Sequence, residues 1–411
     1  MKKFFVLWSS QGASVIGSMV VEFALAWHLK EVTGSATVLA TAIMVGILPM
    51  VFLAPFVGPF IDRWDRKKTM IFADLWTMLL TVILVILFYT DTIEIWHVYV
   101  ALFCRTIGQI FQEPAFKASI PMVVPEKHLV RANGLTTTLI GVTIFIAPPV
   151  GAFLMKTLPM QWVLSLDIIT AIIAICCLLP LRIPQPDRTT LTQKVDVIGE
   201  MVQGFRYIVS WKALFLLFGL CGIVNFFLNP LQVLLPLFVE NYLSNDILKL
   251  GWLQMIFGIG VLAGGLVLGA WGGFKKRIIT SFSGMIISYI AVIVFGFTTE
   301  RFFFLGLSMY FIWGWSNAFV NGPISAIVQA NVPRDMQGRV FSVLGSICTA
   351  AIPVGLIISG PIADAIELRW LYIFSAVILF ILSLAFYFFG GLFNIENQKT
   401  AEEPVVDSVV E

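Results

Sequence analysis

Charge is scarce in this chain: Asp, Glu, Lys and Arg make up 12% of its 411 residues while 59% are hydrophobic, too little polarity to clothe a water-soluble surface. Histidine is scarcer still. The three present, His28, His97 and His128, each lie near a predicted membrane surface and far from the others in sequence, so neither a His-built metal cluster nor a His-based triad is expected. The five cysteines, Cys104, Cys176, Cys177, Cys221 and Cys348, show no CxxC spacing, so neither a zinc site nor a disulfide scaffold is indicated. No Walker lysine motif occurs, so the chain carries no ATPase of its own. No cofactor, no metal and no nucleic-acid partner is expected. A membrane-embedded transferase would need a polar catalytic cluster at one interface, and the sequence displays none.

What is abundant is long apolar runs, with a mean hydropathy of +0.93 over the chain. About 20 residues of α-helix cross a hydrocarbon core of roughly 30 Å. Runs of that size lie at 4–29, 37–60, 69–89, 95–118, 129–155 and 161–181, and again at 213–239, 250–272, 278–298, 302–330, 340–363 and 370–391. The reading is an all-α membrane protein of twelve transmembrane helices. Residues 1–26 resemble a signal peptide, with Lys2 and Lys3 before an apolar run, but Glu22 interrupts that run and its loss would leave an odd number of spans.

Placing the N-terminus in the cytoplasm puts 20 of the 26 Lys and Arg on the inner side and five outside, with Arg105 alone inside a span. Both termini are then cytoplasmic. The one long polar connection, 182–212, contains Pro184 and Pro186 and divides the chain into six-span bundles at 1–181 and 213–391. Helical spacing of Val195, Ile198, Val202, Phe205 and Val209 predicts a surface helix within it. The tail at 392–411 reads as disordered. The halves repeat: Gly58 and Trp64 match Gly265 and Trp271 at an offset of 207, and Pro125 and Arg131 match Pro333 and Arg339 at 208. Parallel six-span repeats with a site between them are the architecture of alternating-access transporters.

The loop after the second span reads Gly58-Pro-Phe-Ile-Asp62-Arg63-Trp-Asp65-Arg66-Lys67-Lys68. It resembles the signature loop of the major facilitator superfamily, although that family has Gly where Asp65 stands. Pro114-Ala115, Ile120-Pro121, Val124-Pro125-Glu126, Ala132-Asn133, Pro149-Val150-Gly151, Gly338-Arg339-Val340-Phe341-Ser342 and Ala363-Asp364 are similar to the drug:proton antiporters, most of all their macrolide-efflux branch. Ala147-Pro148-Pro149 departs from the Gly-Pro of the antiporter motif. The resemblance implies the major facilitator fold and export of solutes. It also implies a gate on the cytoplasmic side at Asp62, Arg63 and Arg66, with Glu113 as a partner.

A charge at the bilayer centre costs at least about 2.5 to 3.5 kcal/mol, so each buried ionisable residue is a functional candidate. Four are recognised, Glu22, Arg105, Glu113 and Asp167, all in the first half. Depth arithmetic puts Glu22 and Arg105 within roughly 5 Å of each other along the membrane normal, close enough to pair across the cavity; a Glu that gains or loses that partner as the halves rock would release or capture a proton, so Glu22, Arg105 and Asp167 are the proton-coupling candidates. Asp167 lies at a similar outer depth in the sixth span, which the resemblance places at the periphery, and the alternative to a coupling role is a cap or an inter-helix bond near the outer surface. Glu113, with Lys117 four residues on, suits a local ion pair.

The second half offers Asn225, Asn229, Gln232, Gln254, Asn317 and Asn321 instead of charge. Asn225, Asn229 and Asn321, with Phe226 and Trp313, are expected to line an aromatic, amide-bearing substrate cavity. Gly260, Gly264, Gly265 and Gly269 form two GxxxG steps suited to close helix packing. The expectation is a proton-coupled exporter of amphipathic compounds, working as a monomer in the bacterial inner membrane with lipid, substrate and protons as its partners. A siderophore, lysolipid or peptide made by the cell is the alternative cargo.

Overall fold

The computed structural model describes residues 2–184, 197–388 and 392–395. Among them are fourteen α-helices and no strand. The first half holds α1 (Lys2–Thr33), α2 (Ala36–Arg63), α3 (Arg66–Tyr89), α4 (Ile95–Val123), α5 (Leu129–Thr157) and α6 (Met160–Leu178). The connection supplies α7 (Val197–Ser210). The second half holds α8 (Lys212–Val233), α9 (Leu235–Tyr242), α10 (Ile247–Trp271), α11 (Arg277–Gly296), α12 (Phe303–Asn331), α13 (Arg334–Ala365) and α14 (Leu368–Phe388).

Eleven of these helices are long and apolar enough to cross a membrane. The twelfth span is α4, whose apolar run is diluted by Arg105, Gln109, Gln112, Glu113 and Lys117 but which packs between α2 and α3. Two helices replace the single span expected at 213–239. Pro230 removes a backbone donor inside α8, and Pro236, which cannot extend a helix already under way, sits in the first turn of α9.

Local chemistry sets the boundaries elsewhere. Asp65 is the N-cap of α3, its carboxylate accepting from the Lys68 amide at 3.0 Å, which explains an acid where the family loop has glycine. The corresponding loop of the second half ends α10 with Gly272 and Gly273, both at φ +82°, a conformation that favours glycine. The two loops are therefore built differently. Helix α7 lies against α13, where Gln203 accepts from Arg339 Nη1 at 2.8 Å. Leu392 and Ile395 are buried in the second-half core, so packing extends further than the tail's polarity suggests; residues 396–411 lie outside the description.

Of the two glycine pairs, only Gly260 and Gly264 make a close contact, against the backbone of Phe311 and Trp315 on α12; Gly265 and Gly269 meet nothing. A β-carbon at Gly264 would sit well inside contact with the Trp315 carbonyl. Gly264→Ala is expected to force α10 and α12 apart at a cost of about 1–3 kcal/mol, and Gly265→Ala to leave stability within about 0.5 kcal/mol. Thermal melting of the two purified variants checks this, and equal melting temperatures would refute the packing role.

The halves meet at one end of the molecule and part at the other. Phe23, Trp27, Ala36 and Leu39 from α1 and α2 join the second-half core, and α2 approaches α13 closely where Gly360 packs on Thr37 and Ala40. At the α7 end a cleft of about 610 Å³ separates Met50, Val51 and Ala54 from Gly338, Ser342 and Ser346.

Candidate functional site

Residues 105, 109 and 112 of α4 recur at helical spacing and so share one face, and each engages a different acid. Arg105 Nη1 donates to Asp167 Oδ2 at 2.8 Å and also to Thr81 Oγ1. Gln109 Nε2 donates to Glu22 Oε1 at 2.7 Å. Gln112 Nε2 donates to Asp74 Oδ1 at 2.6 Å. Helix α1 supplies a second polar row: Gln11 and Ser14 donate to Asp74, both at 3.1 Å, and Ser18 donates to Asp167 at 2.9 Å. This polar ladder interrupts the first-half core, whose buried apolar residues fall into separate clusters, whereas the second half has one continuous cluster.

In this conformation Glu22 and Arg105 do not form an ion pair. Arg105 gives its ion pair to Asp167, and Glu22 has a neutral amide as partner. Matching depths said nothing of azimuth: Asp167, expected at the outer periphery, is 1% exposed and points from α6 toward α3 and α4. Arg105 is equally buried, and its Nε and Nη2 have no partner among the described residues. Removing one member of such a pair strands the other charge, so Asp167 and Arg105 hold α3, α4 and α6 together as well as carrying charge.

The side chains of Asp62 and Arg63 lie outside the description. Arg66 is buried at the start of α3, and its Nη1 donates to the Ala118 carbonyl of α4 at 2.7 Å. Glu113 is bound by Lys117 at 2.5 Å on an exposed face, with side chains 60% and 56% accessible, a pair worth little in stability. Among the described residues the ion pair of Glu113 is the one with Lys117.

Asn225, Asn229, Trp313 and Asn321 come together around a cavity of about 210 Å³ in the second half, along with Gln232 and Asn317. The amides are chained, Asn229 to Asn225 Oδ1 at 2.8 Å and Asn321 to Asn317 Oδ1 at 3.1 Å. Phe226 is corrected: it does not line this cavity, because one residue beyond Asn225 the helix has turned, and its carbonyl packs on Gly355 of α13. The cavity falls below the roughly 300–1,000 Å³ of drug-sized sites.

Sequence reasoning missed Asp74. Its closeness to the Arg66-Lys67-Lys68 run makes it read as interfacial, whereas Gln11 and Ser14 from α1 enclose it to 1% exposure. The available signal was the polar series 11, 14 and 18 at helical spacing in an apolar span.

At the closed end, Asp364 of α13 sits over the N-terminus of α2. It accepts from the Ala36 amide at 2.6 Å, the Thr37 amide at 3.0 Å and Ser35 Oγ at 2.9 Å, where the helix macrodipole favours an anion. Lys30, fully buried, lies 3.5 Å from Glu240 of α9 and over the Trp27 ring. Charge-assisted bonds of this kind contribute about 1.5–3 kcal/mol. Asp364→Ala is therefore expected to shift the population toward opening at this end. Spin labels at Val32 and Ile366 should report longer distances in the variant than in the wild-type background; an unchanged distribution would show that the apolar contact alone holds the end shut.

The family model of the Major Facilitator Superfamily matches residues 7–355. Macrolide efflux protein A of Streptococcus pyogenes is 31% identical over 382 residues, 93% of this chain and 94% of that protein. The multidrug efflux pump Tap of Mycolicibacterium fortuitum is 26% identical, covering 86% of this chain and 87% of the pump. Among solved structures, a bacterial homologue of the human lysosomal transporter Spinster, in an inward-facing and unoccupied conformation, shares the fold with a TM-score of 0.73 at 14% identity, covering 98% of each chain.

Proposed function

Because the chain belongs to the Major Facilitator Superfamily, whose members are membrane transporters, we propose that it exports hydrophobic and amphipathic compounds, macrolides among them, by proton-driven alternating access. The moving bodies are residues 1–181 and 213–391, joined by 182–212 on the cytoplasmic side of a bacterial inner membrane, and a single chain contains both walls of the path.

One observation supports the coupling above all: among the described residues Gln109 is the hydrogen-bond partner of the half-buried Glu22, beside an Arg105 whose Nε and Nη2 have no partner there and can donate to a second carboxylate. Protonated, Glu22 rests on the amide. When the proton leaves, the carboxylate finds those two donors, and Arg105 is shared between Glu22 and Asp167. That rearrangement links one proton to the packing of α1, α4 and α6. Gate contacts at Asp62, Arg63 and Arg66 complete the reading on the cytoplasmic side, with Glu113 within the same end of α4. Substrate enters through the open cleft and places a polar group against Asn225, Asn229 and Asn321, with Trp313 as an apolar wall.

Expression in an efflux-deficient bacterial host tests the export reading. Raised resistance to erythromycin or ethidium, lost on adding a protonophore, is the expected result. Unchanged susceptibility to macrolides, dyes and lipophilic cations alike would overturn drug export and leave a compound made by the cell as cargo.

A further inference from the structure

We propose that Asp74 is a second proton-binding site of this transporter, enclosed by Gln11, Ser14 and Gln112 and distinct from Glu22. As a step of transport the proposal rests on the proton-driven reading above. The cage is closed and made of neutral groups. Gln11 and Ser14 of α1 and Gln112 of α4 donate to the carboxylate, and Gln112 also donates to Gln11 Oε1 at 3.0 Å.

The charged groups on each packed helix do not neutralise Asp74. On α4, Arg105 is two turns away and committed to Asp167, while Glu113 faces outward to Lys117. From α6 the facing group is Asp167, another acid. On α1 the nearest ionisable residue toward the membrane interior is Glu22, also an acid. On α3 itself Arg66 lies about 12 Å along the axis and donates to Ala118 O. Among the described residues no ion pair involves Asp74.

Counting charge gives the proton number. The ladder contains Glu22, Asp74 and Asp167 against Arg105 alone, so with every acid ionised it would carry two uncompensated negative charges in a low-dielectric interior. It is neutral when two protons are bound. Asp167 holds the guanidinium, so the protons belong on Glu22 and Asp74. Uptake forms one O–H bond at the Asp74 carboxylate, and release breaks it with the proton passing to water. Because the donors come from both α1 and α4, a shift between those helices changes how well the ionised form is held.

Infrared difference spectra of the purified full chain across a pH series, without substrate, test the site itself. The expected result is the carbonyl band of a protonated acid that disappears as pH rises and is missing in Asp74→Asn. The same band in variant and wild type would overturn the assignment. So would its displacement by sodium chloride at constant pH, which would give the cage to a metal cation. Should Asp74→Asn fail to fold, Ser14→Ala removes one donor to the carboxylate and should move the disappearance of the band to higher pH; an unmoved transition overturns the proposal. Transport separates the two readings. If wild-type protein in liposomes moves erythromycin under a pH gradient, Asp74→Asn should lower the proton-to-macrolide ratio from about two toward one, and an unchanged ratio refutes Asp74 as a coupling site. If wild-type transport ignores the gradient, the coupling reading falls, and the infrared band still decides whether Asp74 binds a proton.

Discussion

Replacing Glu22 with Gln is expected to abolish pH-gradient-driven export while leaving substrate binding and exchange in place. The amide keeps the shape of the acid and can still meet Gln109, but it is fixed in one state and cannot take up or release a proton. Uphill transport in proteoliposomes should fall at least about tenfold, the loss expected when an obligatory step is removed and not merely slowed. Equilibrium exchange of labelled erythromycin should persist. If Glu22 instead serves as counter-ion for cationic drugs, the variant should lose ethidium selectively and keep gradient-driven export of neutral compounds. Normal proton-driven export of both would move the search to Asp167 and Asp74.

Arg105→Ala is expected to be the most destabilising change in the first half. Arg105 and Asp167 are each 1% exposed, and truncating one member of a buried pair costs about 3–5 kcal/mol because the other is left charged and alone. Thr81 and Ser18, which also bond Asp167, cannot supply the missing charge. The double variant Arg105→Gln with Asp167→Asn removes both charges and should recover a large part of the loss while remaining inactive. Melting of the detergent-purified variants measures this. A single Arg105→Ala that melts with the wild type would refute the structural role of the pair.

The helical membrane fold and the clustering of the second-half amides were legible because each rests on composition or periodicity along one helix. Asn225 and Asn229 four apart, or Arg105 alone in an apolar run, carry their own signal. What was not legible depends on how helices are rotated against one another. Depth along the membrane gave Glu22 and Arg105 as partners, but azimuth gave Arg105 to Asp167 on α6. Phe226 was grouped with Asn225, yet one step of about 100° turns it away from the cavity. Asp74 stayed hidden because its neighbours in sequence are basic and its neighbours in space are Gln11 and Ser14. Asp364 likewise reads as a residue at a span end until α2 is brought beneath it.

The most direct test of proton-driven export uses wild-type protein in liposomes preloaded with buffer, with erythromycin outside and the pH gradient imposed in either direction at zero membrane potential. Antiport predicts accumulation when the interior is acidic, depletion when the gradient is reversed, and collapse of both on adding a proton ionophore. Macrolide movement that is the same under both gradients, or that follows a sodium gradient instead, would contradict it.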